Sequence, residues 1–196
     1  MKLLPTTALN TMNEIVRVCA NRNSREDTLG YFVSNQVIIL QPKYLCEEEY
    51  NRNYVERIGL PIIEIPARGG TIVCNTGDLG FLYITEDMHS NWNRPAQKYV
   101  ARYLRKIYDI DTEVNNNDVL IDGKKFIGTA SGFMRNKHVC AMFISMNNAT
   151  TWLINKICTK ESHYAGFIGL DRYSVCPKRL INTVINFSKH WERRGL

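Results

Sequence analysis

Apolar positions recur at two spacings along this chain, and the spacing assigns most of its segments. Between Thr6 and Ala20 the residues Leu9, Met12, Ile15, Val16 and Cys19 fall on a helical period, which predicts an amphipathic helix entering a core. A polar loop, Asn21 to Asp27, follows. Leu29 to Gln41 is rich in Tyr, Phe, Val and Ile and reads as extended, whereas Glu47 to Ile58 carries acidic residues first and arginines later, the order a helix dipole favours. Gly59 is placed to end that helix. Pro61 to Ile65 reads as a strand, Arg68 to Gly80 as a glycine-containing loop with a short strand, and Phe81 to Thr85 as another strand. Asn93 to Tyr108 has Val100, Leu104 and Ile107 at helical spacing, with Pro95 in the first turn, where a missing amide is harmless. A hairpin comes next, then His138 to Met146 as a strand, Thr150 to Cys158 as a short helix and Pro177 to Trp191 as a final helix. Strands joined directly by hairpins favour an α+β fold: a mixed, largely antiparallel sheet flanked by helices, in one domain over residues 1–196.

The hairpin carries the most chemistry. Two β-prone runs, Val119 to Ile121 and Phe126 to Ile127, flank Asp122-Gly123, a strong turn signal. Lys124 and Lys125 start the return strand, and since side chains alternate faces on a strand, one lysine should face water and the other inward. An inward lysine needs an anion. Small residues, Gly128-Thr129-Ala130, follow it.

A second candidate is Arg68-Gly69-Gly70-Thr71, after the strand Pro61 to Ile65. Paired glycines let the backbone approach a ligand, and arginine offers a planar fork to carboxylate or phosphate. Read alone, such a pair most often only makes a turn. Neither the P-loop spacing nor G-x-G-x-x-G is present, so a phosphate site here is of another type.

Charge narrows the partners. The formal net charge of +6 suits nucleic acid, nucleotide or an acidic protein. The basic residues are dispersed, with local groups at Arg102-Arg105-Lys106 and Lys189-Arg193-Arg194, and lack a helix-turn-helix or zinc-finger pattern, so nucleic acid is not the expected partner. Cys19, Cys46, Cys74, Cys140, Cys158 and Cys176 form no C-x-x-C pair, which argues for reduced thiols rather than a zinc site or disulfide framework. The start, MKLLPTTALN, lacks the apolar core of a signal peptide, and no apolar run reaches membrane-spanning length. The chain therefore reads as cytoplasmic, with no membrane partner.

Taken together, the two motifs resemble those of the lipoate-protein ligase, biotin-protein ligase and octanoyltransferase superfamily, nearest to a single-domain lipoate-protein ligase. The stretch from Asn117-Asp118 through Lys125 to Gly128-Thr129-Ala130 is similar to that superfamily's N-D, glycine, lysine, glycine-small-residue hairpin. Arg68 to Asp78 resembles its glycine-rich acyl-binding loop, in the R-G-G form of octanoyltransferases. Asn35 to Gln41 followed by Tyr50 to Ile65 resembles the strand, helix and strand that precede that loop. The resemblance implies the biotin/lipoate ligase catalytic-domain fold.

It also implies roles. Lys125 takes the place of the lysine that contacts the acyl carboxylate and the adenylate phosphate, leaving Lys124 as an exposed hairpin residue. Asp118 takes the place of the acidic member of the N-D pair, holding either Mg2+ or the nucleotide, with Asn117 ordering the turn beside it. Arg68, Gly69, Gly70, Thr71, Ile72, Val73 and Cys74 would line the acyl chain and adenylate, with Asn75 next to them and Gly128, Thr129 and Ala130 opposite. Asn75 and Thr76 stand where the family usually has histidine and then aspartate or glycine. His138 roughly matches a family histidine, though a structural role suits it equally well. Cys176 lies in Ser174-Val175-Cys176-Pro177, which departs from the Pro-Cys-Gly context of an octanoyltransferase nucleophile.

The resemblance implies an enzyme that activates lipoate or octanoate with ATP to an acyl-adenylate and passes the acyl group to a lysine of an acceptor protein. The alternatives are an octanoyl or lipoyl transferase working through a cysteine thioester, and a non-catalytic acyl- or nucleotide-binding homologue. The expected partner is an acidic lipoyl-type acceptor domain. No accessory C-terminal domain follows in this sequence, which leaves room for a separate accessory chain.

Overall fold

The computed structural model describes residues 1–6, 8–21, 25–43, 49–148, 154, 156–158 and 166–192. In chain order the elements are β1(Lys2–Thr6), α1(Ala8–Ala20), β2(Thr28–Val33), β3(Ile38–Pro42), α2(Arg52–Arg57), β4(Ile62–Ile65), β5(Ile72–Cys74) and β6(Leu79–Thr85). Then follow α3(Asn93–Tyr108), β7(Glu113–Asn115), β8(Asp118–Ile121), β9(Lys124–Met134), β10(Lys137–Ile144), a 3-10 turn at Leu170–Tyr173 and the last helix, α4(Pro177–Glu192). Among the described residues there is a 7-stranded sheet in the order β1-β2-β6-β10-β9-β8-β7 and a 3-stranded sheet in the order β4-β3-β5. Among the described strands, β1 with β2 and β3 with β4 pair in parallel and the others antiparallel, so the fold is the expected α+β one, with mixed and largely antiparallel sheets.

The large sheet is covered on both faces. Every residue of β6 and β10 is buried, which is why these central strands read as nearly continuous apolar runs rather than alternating ones. On one face, α3 presents Ala96, Gln97, Val100, Ala101 and Leu104, a stripe at helical spacing, and packs beside α4, which supplies Leu180, Val184 and Ile185. Trp92, fully buried, stacks on Tyr83 at 5.4 Å and donates its indole N–H to Ser188 Oγ at 3.1 Å, tying sheet, α3 and α4 together. On the other face, Met12, Ile15 and Val18 of α1 meet Phe32, Leu82, Ile84 and Val139 together with Ile38 and Leu40 of the small sheet.

Several local expectations need correction. The predicted helix at Thr6 begins at Ala8, because Lys2–Thr6 pairs with β2 as an edge strand, a position that tolerates Pro5. Leu29 to Gln41 is not one strand: it breaks at Ser34, and β2 and β3 join different sheets. Of the helix expected over Glu47 to Ile58, Glu47 and Glu48 lie outside the described residues, and the described part is helical over Arg52–Arg57, capped by Asn51, whose Oδ1 accepts from Tyr54 N at 3.0 Å. Glu49 therefore lies outside the helix, and its carboxylate goes elsewhere. The helix expected over Thr150 to Cys158 falls largely outside the described residues, as do Cys46, Arg193 and Arg194.

Candidate active site

The turn at Asp122-Gly123 forms as its sequence requires, with φ of 52° and 71°, the left-handed pair of a two-residue hairpin. The strand after it is not regular. Val119 pairs with Ile127 but Leu120 pairs with Lys125, so Phe126 is an extra residue, a β-bulge. The bulge resets the two-residue alternation and puts Lys125 on the same side as Gly128. The Lys125 ammonium lies 2.7 Å from Asp118 Oδ1, with the two side chains 27% and 15% exposed. Its path crosses Gly128, where a β-carbon would stand 2.9 Å from Lys125 Cε and 3.1 Å from Nζ. The backbone of the bulge is also held: Lys125 N donates to Gly166 O, Ile168 N to Lys125 O and Ser145 N to Phe126 O, at 2.8 to 3.0 Å.

The glycine loop reaches the same strand. β8 ends at Asp118, opposite Gly128, so the outer edge of β9 lacks a β8 partner from Thr129 onward. Arg68 fills that edge, with Arg68 N donating to Ser131 O at 2.7 Å and Ser131 N to Arg68 O at 3.3 Å. The crossing is close. A β-carbon on Gly132 would lie 2.7 Å from both Ala67 Cα and Pro66 O, and one on Gly69, where φ is 145°, would meet Ala130 Cβ at 3.2 Å. The small residues of β9 are thus a seat for the loop, and β5 is carried over the bulge.

Between β5 and the large sheet is a mostly apolar cleft of about 90 Å³. It is lined by Thr71, Ile72, Val73 and Cys74 of the glycine loop and β5, by Lys125, Phe126 and Gly128 of β9, by Phe143, Ile144 and Ser145 at the end of β10, and by Ile154, Cys158 and Phe167. Six of the residues predicted for the site therefore share one cleft: Thr71, Ile72, Val73, Cys74, Lys125 and Gly128. Arg68, Gly69, Gly70, Asn75, Asn117, Asp118, Thr129 and Ala130 are not among its lining residues. Arg68, Gly69, Gly70 and Asn117 are exposed, Asn75 is buried with its Oδ1 lacking a partner among the described residues, and Asp118 touches the cleft through Lys125. Lys124 pairs across from Ile121 and does not line the cleft.

Two acidic residues that sequence reasoning gave no role belong to this region. Asp78 lines the cleft at 3% exposure and accepts from Asn75 N at 2.8 Å, Met146 N at 2.7 Å and Asn147 N at 3.3 Å. Burial outweighs these three donors and pushes its carboxyl from 3.8 to about 6. Burial, then the Asp78 charge, raises the Cys74 thiol well above its ordinary value. Glu49 accepts from Thr71 N at 2.7 Å, directly over Gly70, whose missing side chain makes the room. A carboxylate already selects the loop's backbone amide, which marks the loop as a place where anions are accommodated. The signal for Asp78 was an acid immediately before the apolar run Leu79 to Ile84; for Glu49, separated from the loop by more than twenty positions, no local signal existed.

The remaining candidates sit apart. His138 is buried and stacks on Phe133 at 4.8 Å, and desolvation lowers its pKa. Its partners across the sheet are Phe133 and Thr85, six residues along β10 from the Ile144 and Ile127 pair beside the cleft. Cys176 is exposed just before α4, with its amide donating to Tyr108 OH at 3.3 Å. The cysteines that do reach the cleft, Cys74 and Cys158, both have raised pKa values through burial first. A protein-built magnesium site does not fit the described residues: they contain no group of three or more His, Cys, Asp or Glu placed to hold an ion, and Asp118 offers one carboxylate that already holds an ammonium.

The fold is shared with solved lipoate-protein ligases. A lipoate-protein ligase A solved with ATP bound superimposes at a TM-score of 0.75, with 18% identity over 97% of this chain and 85% of that one. A bipartite lipoate-protein ligase from Thermoplasma acidophilum, analysed with its E2 lipoyl domain, superimposes at 0.74, with 16% identity over 97% and 83%. At the sequence level the lipoate-protein ligase LplJ of Bacillus subtilis is 27% identical over 105 residues, which are 52% of this chain and 31% of that protein. The chain thus matches about a third of the length of this relative. The family described as the lipoyl protein ligase A/B catalytic domain matches residues 5–175, and the chain belongs to it. Among the described residues no helix is long and apolar enough to cross a membrane.

Proposed function

We propose that the chain is the catalytic unit of a lipoate-protein ligase, activating lipoate or octanoate with ATP and passing the acyl group to a lysine of an acidic lipoyl-type acceptor domain. The observation that carries this reading is Lys125, half-buried, fixed by Asp118 and directed into an apolar cleft whose facing wall is the glycine-loop strand. An apolar cleft with a cation in its wall suits an acid with a hydrocarbon tail. In the first step a carboxylate oxygen attacks the α-phosphorus of ATP and pyrophosphate leaves. Negative charge builds on the nonbridging oxygens, where a preorganised ammonium lowers the barrier more than a solvated one could. In the second step the deprotonated acceptor amine attacks the acyl carbon and AMP departs. Asp118 orients Lys125, and the backbone of Arg68 to Thr71 lies beside the adenylate. Magnesium in this reading arrives with the triphosphate. The formal charge of +6 suits both the nucleotide and an acidic acceptor.

A test is direct: incubate the chain with ATP and either lipoate or octanoate and detect acyl-AMP by mass spectrometry. Acyl-AMP from the wild type, lost in Lys125→Ala and retained in Lys124→Ala, is expected; equal activity of all three would sink the assignment. A second reading, transfer through a cysteine thioester, predicts an acyl adduct on Cys176 instead. Ligand binding without acyl-AMP would identify a binding homologue or a need for a separate accessory chain, which addition of an acceptor domain and of such a chain would distinguish.

A further inference from the structure

Gln97 is the one polar member of the buried stripe of α3 and is 0% exposed. A glutamine there costs free energy unless its amide is used, and a methionine or leucine would fill the same space without that cost. Its use is specific: Nε2 donates to the carbonyl of Asn117 at 2.6 Å, while Oε1 is buried without a partner among the described residues. The same carbonyl also accepts from Thr129 N at 3.1 Å and Thr129 Oγ1 at 2.9 Å. Three donors converge on one backbone oxygen, more than its two lone pairs ordinarily take.

That oxygen belongs to the peptide joining Asn117 to Asp118. The turn leading into it, Asn116-Asn117 between β7 and β8, has Asn116 at a φ of 50°, the left-handed conformation that asparagine adopts more readily than most residues. Fixing the carbonyl fixes the peptide plane from which Asp118 projects, and Asp118 sets the Lys125 ammonium at 2.7 Å. We infer that Gln97 is a positioning residue, anchoring the Asn117 carbonyl so that Asp118 holds Lys125 in one orientation at the cleft. This rests on the ligase reading, in which Lys125 meets the reacting carboxylate. A chain of contacts thus runs from the core face of α3 to the cleft on the other side of the sheet.

The experiment uses two readouts on the full chain. Lysines are reductively dimethylated with 13C-formaldehyde, the Lys125 resonance is assigned with Lys125→Arg, and its position is compared in wild type, Asp118→Asn and Gln97→Met. In parallel, kcat for acyl-AMP formation is measured on unmodified protein. In Gln97→Met the resonance should move at least halfway toward its position in Asp118→Asn, and kcat should fall roughly tenfold. In Gln97→Glu the Lys125 resonance should stay near its wild-type position at low pH, where a neutral carboxyl donates its O–H to the carbonyl, and move toward its position in Asp118→Asn as that carboxyl ionises. A folded Gln97→Met with the wild-type resonance and kcat within about twofold overturns the proposal. If Gln97→Met does not fold, Thr129→Val, which removes another donor to the same oxygen, decides: a shift in the same direction supports the proposal, and an unchanged resonance overturns it. Full activity of Lys125→Ala would instead overturn the ligase reading, leaving the resonance test of Gln97 standing.

Discussion

Lys125 reaches Asp118 across Gly128: the 2.7 Å ion pair leaves its ammonium where a β-carbon on residue 128 would crowd it, at 2.9 Å from Cε and 3.1 Å from Nζ. The obstructed atoms are the far end of a flexible side chain, so Gly128→Ala can be accommodated by moving the ammonium, at the expense of its placement. The expected outcome is a melting temperature close to wild type with acyl-AMP formation reduced about tenfold or more. Differential scanning calorimetry and a single-turnover adenylation assay measure the two quantities. A strongly lowered melting temperature, or undiminished adenylation, would contradict this account of Gly128.

Gly132, four residues further along β9, should respond in the opposite sense. Its missing β-carbon faces backbone, Ala67 Cα and Pro66 O at 2.7 Å, which cannot move without lifting the glycine loop. Gly132→Ala is expected to destabilise the fold by about 1–3 kcal/mol. Urea denaturation checks this, and a midpoint equal to that of wild type would show that the loop is not seated as described.

The buried Asp78 carboxyl gives stability a distinctive pH dependence. Its folded pKa, about 6, lies above the ordinary 3.8, so between these values the native state holds a proton that the unfolded chain has lost. Stability is then greatest below about pH 4 on account of this group and declines as pH rises through 6, by about 3 kcal/mol in all. Chemical denaturation from pH 4 to 7 should reveal the decline, and Asp78→Asn, which carries no ionisable proton, should flatten it. An unchanged slope in that variant would assign the dependence to other groups.

Thiol chemistry separates the ligase from the thioester mechanism. Cys74 is buried with a raised pKa, whereas Cys176 is exposed. Iodoacetamide at mildly alkaline pH should label Cys176 well before Cys74, as peptide mass mapping would report. Acyl-AMP formation should survive that labelling. Loss of activity in step with Cys176 modification would restore the transferase reading.

What the sequence disclosed depended on how local the cause was. Asn93–Tyr108 is helical as its spacing and Pro95 predict, and Asp122-Gly123 turns as that dipeptide usually does. Strand alternation required one inward lysine of two but could not choose, because the choice depends on an inserted residue, Phe126, that no two-residue period can reveal. The resemblance to ligases named Lys125, and the bulge gives the physical reason it, and not Lys124, lines the cleft. The strands β1 and β7 escaped notice because one is an edge strand containing Pro5 and the other has only 3 residues. Glu49 and Gln97 act through partners distant in sequence, and Asp78 through Met146 as well as its neighbour Asn75, so these long-range contributions became visible only when the sheets were assembled.

The eleven residues of β9 are a length standard for the whole site. The strand bears Lys125 at one end and, on the same edge, the bond from Ser131 that fixes Arg68 and the loop behind it. Inserting or deleting a single residue between them would turn the small residues away from the loop and move the two motifs apart or together by a full strand step. The hairpin tip and the turn after Met134 lie outside this interval, whereas from Lys125 to Gly132 the site depends on a fixed length as well as on the glycines at 128 and 132.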